Sequence, residues 1–167
     1  MLNMSGVIYF KTKYGATEQY ANWLSQDLGF ESKNIKKGPK PGSEHIVIIG
    51  SSIIMGKLKA RGWIQKYWSI IKNKNVIILA IGGAKIGSKD REEAMARSLS
   101  SDILNNVKVF HLRGRFDHSK VNFLLSKMIK KGMENEKDPV VKKEWTEGFD
   151  DVKREYLKPI IAYIKGL

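Results

Sequence analysis

Three runs of consecutive Val and Ile residues constrain the fold of this chain more than any other feature. They read GVIYF at 6–10, HIVIIG at 45–50 and NVIILAIGG at 75–83, and a fourth run, VKVFHLRG, follows at 107–114. In the first three runs the apolar residues are continuous instead of alternating. That pattern is typical of parallel strands that are covered on both faces of a sheet.

Helical periodicity fills the gaps between these runs. Residues 16–28 place Tyr20, Ala21 and Leu24 on one stripe, and helical segments are also expected at 58–71 and 89–104. A weaker strand at 30–35 precedes the second run. Strands that alternate with helices predict an α/β fold, here a doubly wound five-stranded parallel sheet with helices on both faces.

The pattern changes after Gly114. Residues 117–131 predict a basic amphipathic helix, and the polar stretch 132–147 predicts irregular chain. The segment 149–167 predicts a closing helix that covers the sheet and is kinked at Pro159. We therefore expect a single domain over 1–167, with a basic helical insertion at about 114–145 before the C-terminal helix.

The charge of the chain favours anionic partners. Thirty Lys and Arg residues stand against 17 Asp and Glu residues, for a net charge of +13. The chain has no cysteine, which excludes disulfides, thiolate nucleophiles and Cys-ligated metals, and its three histidines lack metal-ligand spacing. The first residues do not resemble a secretory signal, and no apolar run approaches the ~20 residues that span a bilayer. A cytoplasmic location is therefore expected.

Small and hydroxylated residues follow three of the predicted strands, as TKYGAT, SSIIMG and GGAKIG. The carboxyl ends of parallel strands meet at one edge of the sheet, where ligands of open α/β sheets bind. The first of these loops leads directly into a helix, whose unpaired amides can receive an anion. The three loops together predict a site for a nucleotide-like cofactor.

Two of these loops also carry a family resemblance. The pattern Thr-x-Tyr-Gly-x-Thr in the first loop and IVIIGSSIIMGKL at 46–58 resemble flavodoxin-type FMN-binding domains. The chain most closely resembles the branch that includes menaquinone-dependent protoporphyrinogen dehydrogenase, because it also has GRFDHSKVNFLLSKMIKKGM at 114–133 and KKEWTEGFDDV at 142–152. The resemblance implies a flavodoxin-like sheet in strand order 2-1-3-4-5, with FMN as the cofactor.

The resemblance also assigns cofactor-binding residues. The FMN phosphate is expected in the first loop, held by backbone amides and by the hydroxyls of Thr12 and Thr17. The isoalloxazine ring is expected between residues 51–56 and residues 82–85, which lack the aromatic side chains that usually stack on it. The expected set is Thr12, Lys13, Tyr14, Gly15, Ala16, Thr17, Ser51, Ser52, Ile53, Ile54, Met55, Gly56, Gly82, Gly83, Ala84 and Lys85.

Two classes of function fit these features. The first is an FMN redox protein, either an electron carrier between proteins or an oxidoreductase with an organic substrate such as protoporphyrinogen and a quinone as partner. If the protein is an oxidoreductase with its own organic substrate, residues 114–145 are expected to shape a substrate cleft. The alternative is an FMN-free module that binds an anionic membrane or nucleic acid through its charge. The sequence has no nucleic-acid-binding motif and its basic residues are scattered, so no nucleic-acid partner is expected.

The predicted helix at 118–131 leaves two interpretations open. An apolar stripe that includes Leu124, Leu125 and Met128 runs beside several lysines. Such a helix either packs on the domain with a solvated basic face, or lies on an anionic membrane surface. The second interpretation would place the protein peripherally at the inner face of a membrane.

Overall fold

The structure is a computed structural model that describes residues 4–167. Five parallel strands form the central sheet: β1 Gly6–Lys11, β2 Glu31–Asn34, β3 Ile46–Ile54, β4 Asn75–Gly82 and β5 Lys108–Arg113. The strands lie in the order β2-β1-β3-β4-β5, which confirms the order expected from the sequence. The chain therefore leaves β1 toward β2 on one side and continues from β3 toward β5 on the other.

The helices of the described residues are α1 Ala16–Leu28, α2 Arg61–Ile71, α3 Lys89–Ser98, α4 Ser101–Asn105, α5 Phe123–Met133, α6 Pro139–Glu147 and α7 Lys158–Lys165. Between residues 4 and 167, none of them is long and apolar enough to cross a membrane. Short 3₁₀ turns lie at Ile35–Lys37, His118–Lys120 and Arg154–Leu157.

Helices cover both faces of the sheet. Side chains alternate along each strand, so Ile8 and Ile48 face α1 and α7, whereas Val7 and Val47 face α2, α3 and α4. Each face forms its own apolar core, which explains why the strand sequences are continuously apolar. The prediction that the C-terminal helix covers the sheet is confirmed, since Ile160 and Ile164 are buried in the core beside α1.

Strand β3 extends further than predicted. Ser51 to Ile54 continue the strand instead of forming a loop, and the chain turns back at Met55 and Gly56 to pair antiparallel as Lys57–Leu58. Both turn residues have positive φ, of 50° and 70°. A two-residue turn with positive φ at both positions is the type I′ turn that suits the twist of a hairpin. The second candidate loop is therefore a hairpin tip on an extended strand.

The segment predicted at 89–104 is two helices. Leu99 adopts extended backbone angles, and Ser100 then caps α4 by accepting a hydrogen bond from the Ile103 amide. Serine side chains compete with backbone hydrogen bonding in this way, which makes them frequent at helix starts. The break turns the start of α4 back toward the sheet.

Two predictions about the C-terminal third are wrong. Residues 139–147 are helical, because Asp138 caps α6 by accepting from the Val140 amide and Pro139 occupies its first turn. Pro159 does not kink a helix, since it lies in the first turn of α7, where its missing N–H costs nothing. The chain before that helix forms the short strand Phe149–Asp150 and a 3₁₀ turn.

The chain between β5 and the C-terminal helix leaves the sheet and returns to it at the same place. Arg115–Phe116 pairs antiparallel with Phe149–Asp150, so the excursion begins and ends at one two-stranded ribbon. Helices α5 and α6 lie between these two short strands. We call residues 117–148 the roof, because they lie over the carboxyl edge of the sheet.

Candidate functional site

A cavity of about 510 Å³ opens at the carboxyl edge of the sheet. Its walls come from the β3 hairpin, the end of β4, the start of α1 and the roof. Of the residues expected from the sequence, the structure brings the following to this cavity: Tyr14, Ala16, Ser52, Ile53, Ile54, Met55, Gly56, Gly82, Gly83 and Ala84. All three candidate loops therefore contribute to one site.

The remaining expected residues support the cavity without lining it. Thr12 Oγ1 accepts a hydrogen bond from the Gly15 amide at 3.0 Å. The Lys13 amide donates to Ser52 Oγ at 3.3 Å, and the buried Thr17 hydroxyl hydrogen-bonds to the same oxygen at 3.0 Å. Ser51 is also buried, and its Oγ accepts from the Ala60 amide. Lys85 is exposed within the third loop and does not line the cavity.

The first loop presents the bare N-terminus of α1 to the cavity. Gly15, with φ 84°, precedes the helix and makes no side-chain cap. In the part of the chain that the structure describes, the amides of Ala16 and Thr17 have no hydrogen-bond acceptor. Unpaired amides at a helix start attract anions, because the helix dipole places partial positive charge there.

Arg115 adds a full positive charge beside this helix start. Its Nε donates to Asp150 and its Nη2 to Gln19, both at 2.8 Å. A Cβ placed on Gly15 would lie 3.5 Å from the remaining nitrogen, Nη1. No motif in the sequence marks this arginine as functional, although its position just after the end of β5 places it at the same sheet edge.

Basic residues also surround the outer side of the first loop. Burial lowers the pKa of Lys59, and repulsion from Lys13, Lys11, Lys36 and Arg61 lowers it further. A pKa shift of this origin indicates that several cations lie close together. The first loop is thus positively charged from the helix start outward.

The hairpin tip forms one side of the cavity mouth. Met55 is 66% exposed, and the neighbouring Gly56 has a guanidinium beside it. A Cβ on Gly56 would lie 3.0 Å from Arg97 Nη1, while Arg97 Nη2 pairs with Glu93 at 2.8 Å. A side chain at position 56 would therefore displace Arg97 as well as strain the turn.

The third loop rests on Arg91. This side chain is 1% exposed, and its guanidinium donates to the carbonyl oxygens of Ala80, Gly82, Ala84 and Leu112 at 2.8 to 3.0 Å. The five bonds join the ends of β4 and β5 to the loop that follows β4. In the sequence, Arg91 lies in a predicted helix and belongs to no motif.

Aromatic side chains from the roof cover the third loop. A Cβ on Gly83 would lie 2.7 Å from Trp145 Cζ2 and 2.9 Å from Phe149 Cζ, so only glycine admits both rings. Phe116 packs against Trp145 with ring centroids 5.1 Å apart. Tyr14 meets Phe116 edge-on at 5.5 Å, and burial together with Asp117 raises the Tyr14 pKa. The aromatic groups missing from the loops are therefore supplied by the roof and its ribbon.

Arg113 attaches the roof to the sheet. Its Nη2 donates to Glu144 of α6 at 2.8 Å and its Nε to Asp151 at 3.3 Å. Its Nη1 donates to the carbonyl of Gly83, and its guanidinium lies 4.7 Å from the Phe149 ring centroid. One side chain thus holds α6, the ribbon and the third loop together.

Helix α5 has one face toward the cavity and one toward solvent. Leu125, Met128 and Ile129 line the cavity. Phe123 and Leu124 are 76% and 68% exposed, which is unusual for large apolar side chains. The helix therefore packs on the domain and also presents apolar residues among lysines, and its contact with a membrane stays a prediction.

The cavity fits a planar mononucleotide. Its apolar walls come from the hairpin and the roof, and the amides at the start of α1 lie with Arg115 at one end, where they can receive a phosphate. Such sites are mostly apolar, with a few polar groups that orient the ligand. Among residues 4–167, no three metal-ligating side chains cluster together.

Comparison with known proteins agrees with this fit. The flavodoxin domain family matches residues 7–142. A flavodoxin, WrbA-like protein from Agrobacterium tumefaciens has a similar fold, with 12% identity, a TM-score of 0.50, and coverage of 71% of this chain and 88% of that one. A search of curated proteins gives no match.

Two further solved structures are similar at lower scores. Flavodoxin 1 from Bacillus cereus shows 14% identity, a TM-score of 0.47, and coverage of 70% of this chain and 88% of that one. A flavoprotein in complex with FMN from Lactobacillus acidophilus shows 12% identity, a TM-score of 0.41, and coverage of 66% and 92%. At these identities the similarity concerns the fold.

Proposed function

Since the chain belongs to the flavodoxin domain family, we propose that it is an FMN-dependent redox protein. The observation that carries this proposal is the cavity itself, in which apolar walls end at the bare N-terminus of α1. An apolar slot that ends in an anion-binding site matches a flavin ring that carries a phosphate chain.

Two groups of cavity residues would bind different parts of FMN. The amides of Ala16 and Thr17, with Arg115 beside them, would hold the phosphate. Ile54 and Met55 on one side and Gly83 and Ala84 on the other would enclose the ring. When bound, FMN supplies the electron-accepting chemistry, and the protein binds, orients and shields it.

The roof supports an enzyme over a simple electron carrier. A carrier needs only an exposed flavin edge, whereas here α5 and Trp145 of the roof line the same cavity as the candidate ring site. An apolar wall of this kind suits contact with an apolar organic substrate or a quinone, held away from water by the roof. We therefore propose an oxidoreductase of the protoporphyrinogen dehydrogenase type, with a quinone or a redox protein as electron acceptor.

The first test is whether FMN binds. Purified protein should show a flavin spectrum, or should acquire one when titrated with FMN, and riboflavin should bind more weakly because it has no phosphate. Anaerobic reduction of the loaded protein, with and without a quinone and protoporphyrinogen, then tests the substrate. A colourless protein that FMN cannot titrate would contradict the redox function and favour an FMN-free module for anionic partners.

We also propose that α5 contacts an anionic membrane surface. Phe123 and Leu124 are exposed beside the exposed lysines Lys127, Lys130 and Lys131. Exposed apolar residues flanked by cations bind the boundary of anionic bilayers, and each nearby cation adds about 1 kcal/mol. Such contact would bring the cavity close to a membrane-dissolved quinone.

Vesicle sedimentation tests the membrane proposal. The protein should bind vesicles of phosphatidylglycerol and phosphatidylcholine but not vesicles of phosphatidylcholine alone. Changing Lys127, Lys130 and Lys131 together to Glu should abolish binding without altering FMN content. The control changes Lys36, Lys37 and Lys40 to Glu, which removes as much charge from the loop after β2. Equal losses in both variants would show that net charge, and not α5, determines binding.

A further inference from the structure

Arg91 is a buried cation whose charge is not paired. It is 1% exposed, and within residues 4–167 none of the ion pairs includes it. All five of its hydrogen bonds end on neutral main-chain carbonyls. Those bonds engage all three guanidinium nitrogens but leave a net positive charge inside the protein.

A buried charge without a partner lowers the stability of the folded protein, so packing alone does not account for Arg91. Burying an ionised group without a counter-charge is strongly unfavourable, and buried arginines are usually paired with carboxylates. Burial, with repulsion from Arg113, lowers the pKa of Arg91 to about 10, so the group stays cationic at neutral pH. Asp90 also lines the cavity, but it is exposed in the first turn of α3 and forms no ion pair with Arg91.

The position of Arg91 at the cavity indicates a role for its positive charge. Its side chain lines the cavity beneath the third loop, and its bonds to Gly82 and Ala84 fix that loop as a wall. A ligand that gains negative charge at this wall would supply the missing counter-charge. FMN gains such charge on its ring system when it is reduced.

We propose that Arg91 is a positioning residue that stabilises the reduced, anionic form of bound FMN and so raises its reduction potential. This inference rests on the proposed FMN function and adds to it the group that sets the potential. Because Arg91 is buried, salt screens its field much less than that of exposed lysines such as Lys85. A single internal residue would then determine the potential, whatever the surface charge.

The test compares how tightly oxidised and reduced FMN bind to three variants. At an effective dielectric constant near 20, a unit charge within about 10 Å changes an ionic equilibrium by more than tenfold. Arg91→Gln should therefore shift the ratio of the two dissociation constants by about tenfold toward oxidised FMN, which equals about 30 mV for a two-electron couple. Arg91→Lys keeps the charge and should retain the wild-type ratio. The control, Lys89→Gln, removes an exposed cation of the same helix and should leave the ratio unchanged.

The ratio of the dissociation constants for oxidised and reduced FMN distinguishes an electrostatic role of Arg91 from a purely structural one. If Arg91 only holds the loop, its loss weakens oxidised and reduced FMN by the same factor and the ratio does not move, which would overturn the inference. Should Arg91→Gln not fold, the potential of the wild-type protein at low and high salt decides. A potential that stays constant supports the buried cation, and one that falls steeply with salt assigns the effect to surface charges. If wild-type protein does not bind FMN, the proposed function itself fails.

Discussion

Replacing Arg113 with methionine should release the roof from the sheet. Arg113 is the side chain that joins Glu144 of α6, Asp151 and the carbonyl of Gly83. Its side chain is 15% exposed, and those of the two acids are 28% and 30% exposed. Methionine is similar in length and apolar, so the change removes the charge and the hydrogen bonds while filling much of the same volume.

The free energy that Arg113→Met is expected to cost the attachment of the roof lies between two limits known for ion pairs. Exposed ion pairs contribute about 0 to 1 kcal/mol, and breaking a buried pair costs about 3 to 5 kcal/mol. For groups that are mostly but not fully buried, with Glu144 losing its ion pair while Asp151 keeps its pair with Lys153, we expect about 2 kcal/mol. A free-energy change of that size raises the population of an opened roof about 30-fold.

Amide hydrogen exchange measures this effect directly. Amides of the roof, residues 117–148, should lose about 30-fold in protection, whereas those of β1, β3 and β4 should change much less. The matched control is Arg154→Met, which breaks one ion pair with Asp27, away from the roof. A roof whose exchange is the same in both variants, or a sheet that loses as much protection as the roof, would refute the assignment of Arg113 as the attachment point.

Three other outcomes follow from the site. Thr17→Val should keep the methyl group against Gly50 but lose the hydroxyl bonded to Ser52, costing about 1 kcal/mol in urea unfolding. The same variant keeps the Thr17 amide and should therefore bind FMN with nearly unchanged affinity by fluorescence titration, and a large loss would show that the hydroxyl itself contacts the phosphate. FMN should bind more tightly than FAD, because the first loop lacks the dinucleotide pattern Gly-x-Gly-x-x-Gly; equal affinities would count against the loop assignment. Asp151→Asn should lower the Tm at pH 7, and its difference from wild type should shrink as the pH falls below about 3.9.

The Asp151 prediction follows from the direction of its pKa shift. Burial raises this pKa, but hydrogen bonds from Lys153, Tyr156 and Arg113 outweigh burial and hold it below the usual value. A carboxyl whose pKa is depressed on folding adds stability above its unfolded pKa, near 3.9, and loses it as the pH falls through the folded value. A Tm difference between wild type and Asp151→Asn that is independent of pH would show that the carboxylate charge is not involved.

The sheet was predictable because its signals are local. Four apolar runs and the helical periodicity between them indicate the strands, and parallel topology then places the three loops at one edge. The helix start after Gly15 is equally local, since a glycine directly before a helical pattern is visible in the sequence. These features required no knowledge of contacts between distant residues.

The cover of the site depends on distant contacts and was not predictable. Trp145 lies 62 positions after Gly83 in the chain, and nothing in the polar segment around it indicates that its ring packs there. Arg91 stands in the charged stretch KDREEAMAR, which has the composition of a solvated helix. Its burial follows from the direction in which α3 leaves the third loop, and that direction is a tertiary property.

The ribbon of Arg115–Phe116 and Phe149–Asp150 makes the roof a separable part of the protein. Because the two ends of the roof are already held side by side, the entropy of closing it depends only weakly on its length. Doubling a flexible loop costs only about 0.6 kcal/mol. Segments of different length and sequence can therefore be exchanged between these two strands while the sheet and the helix start that face the cavity stay as they are. A fold built this way can change what its cavity binds when the roof alone is replaced.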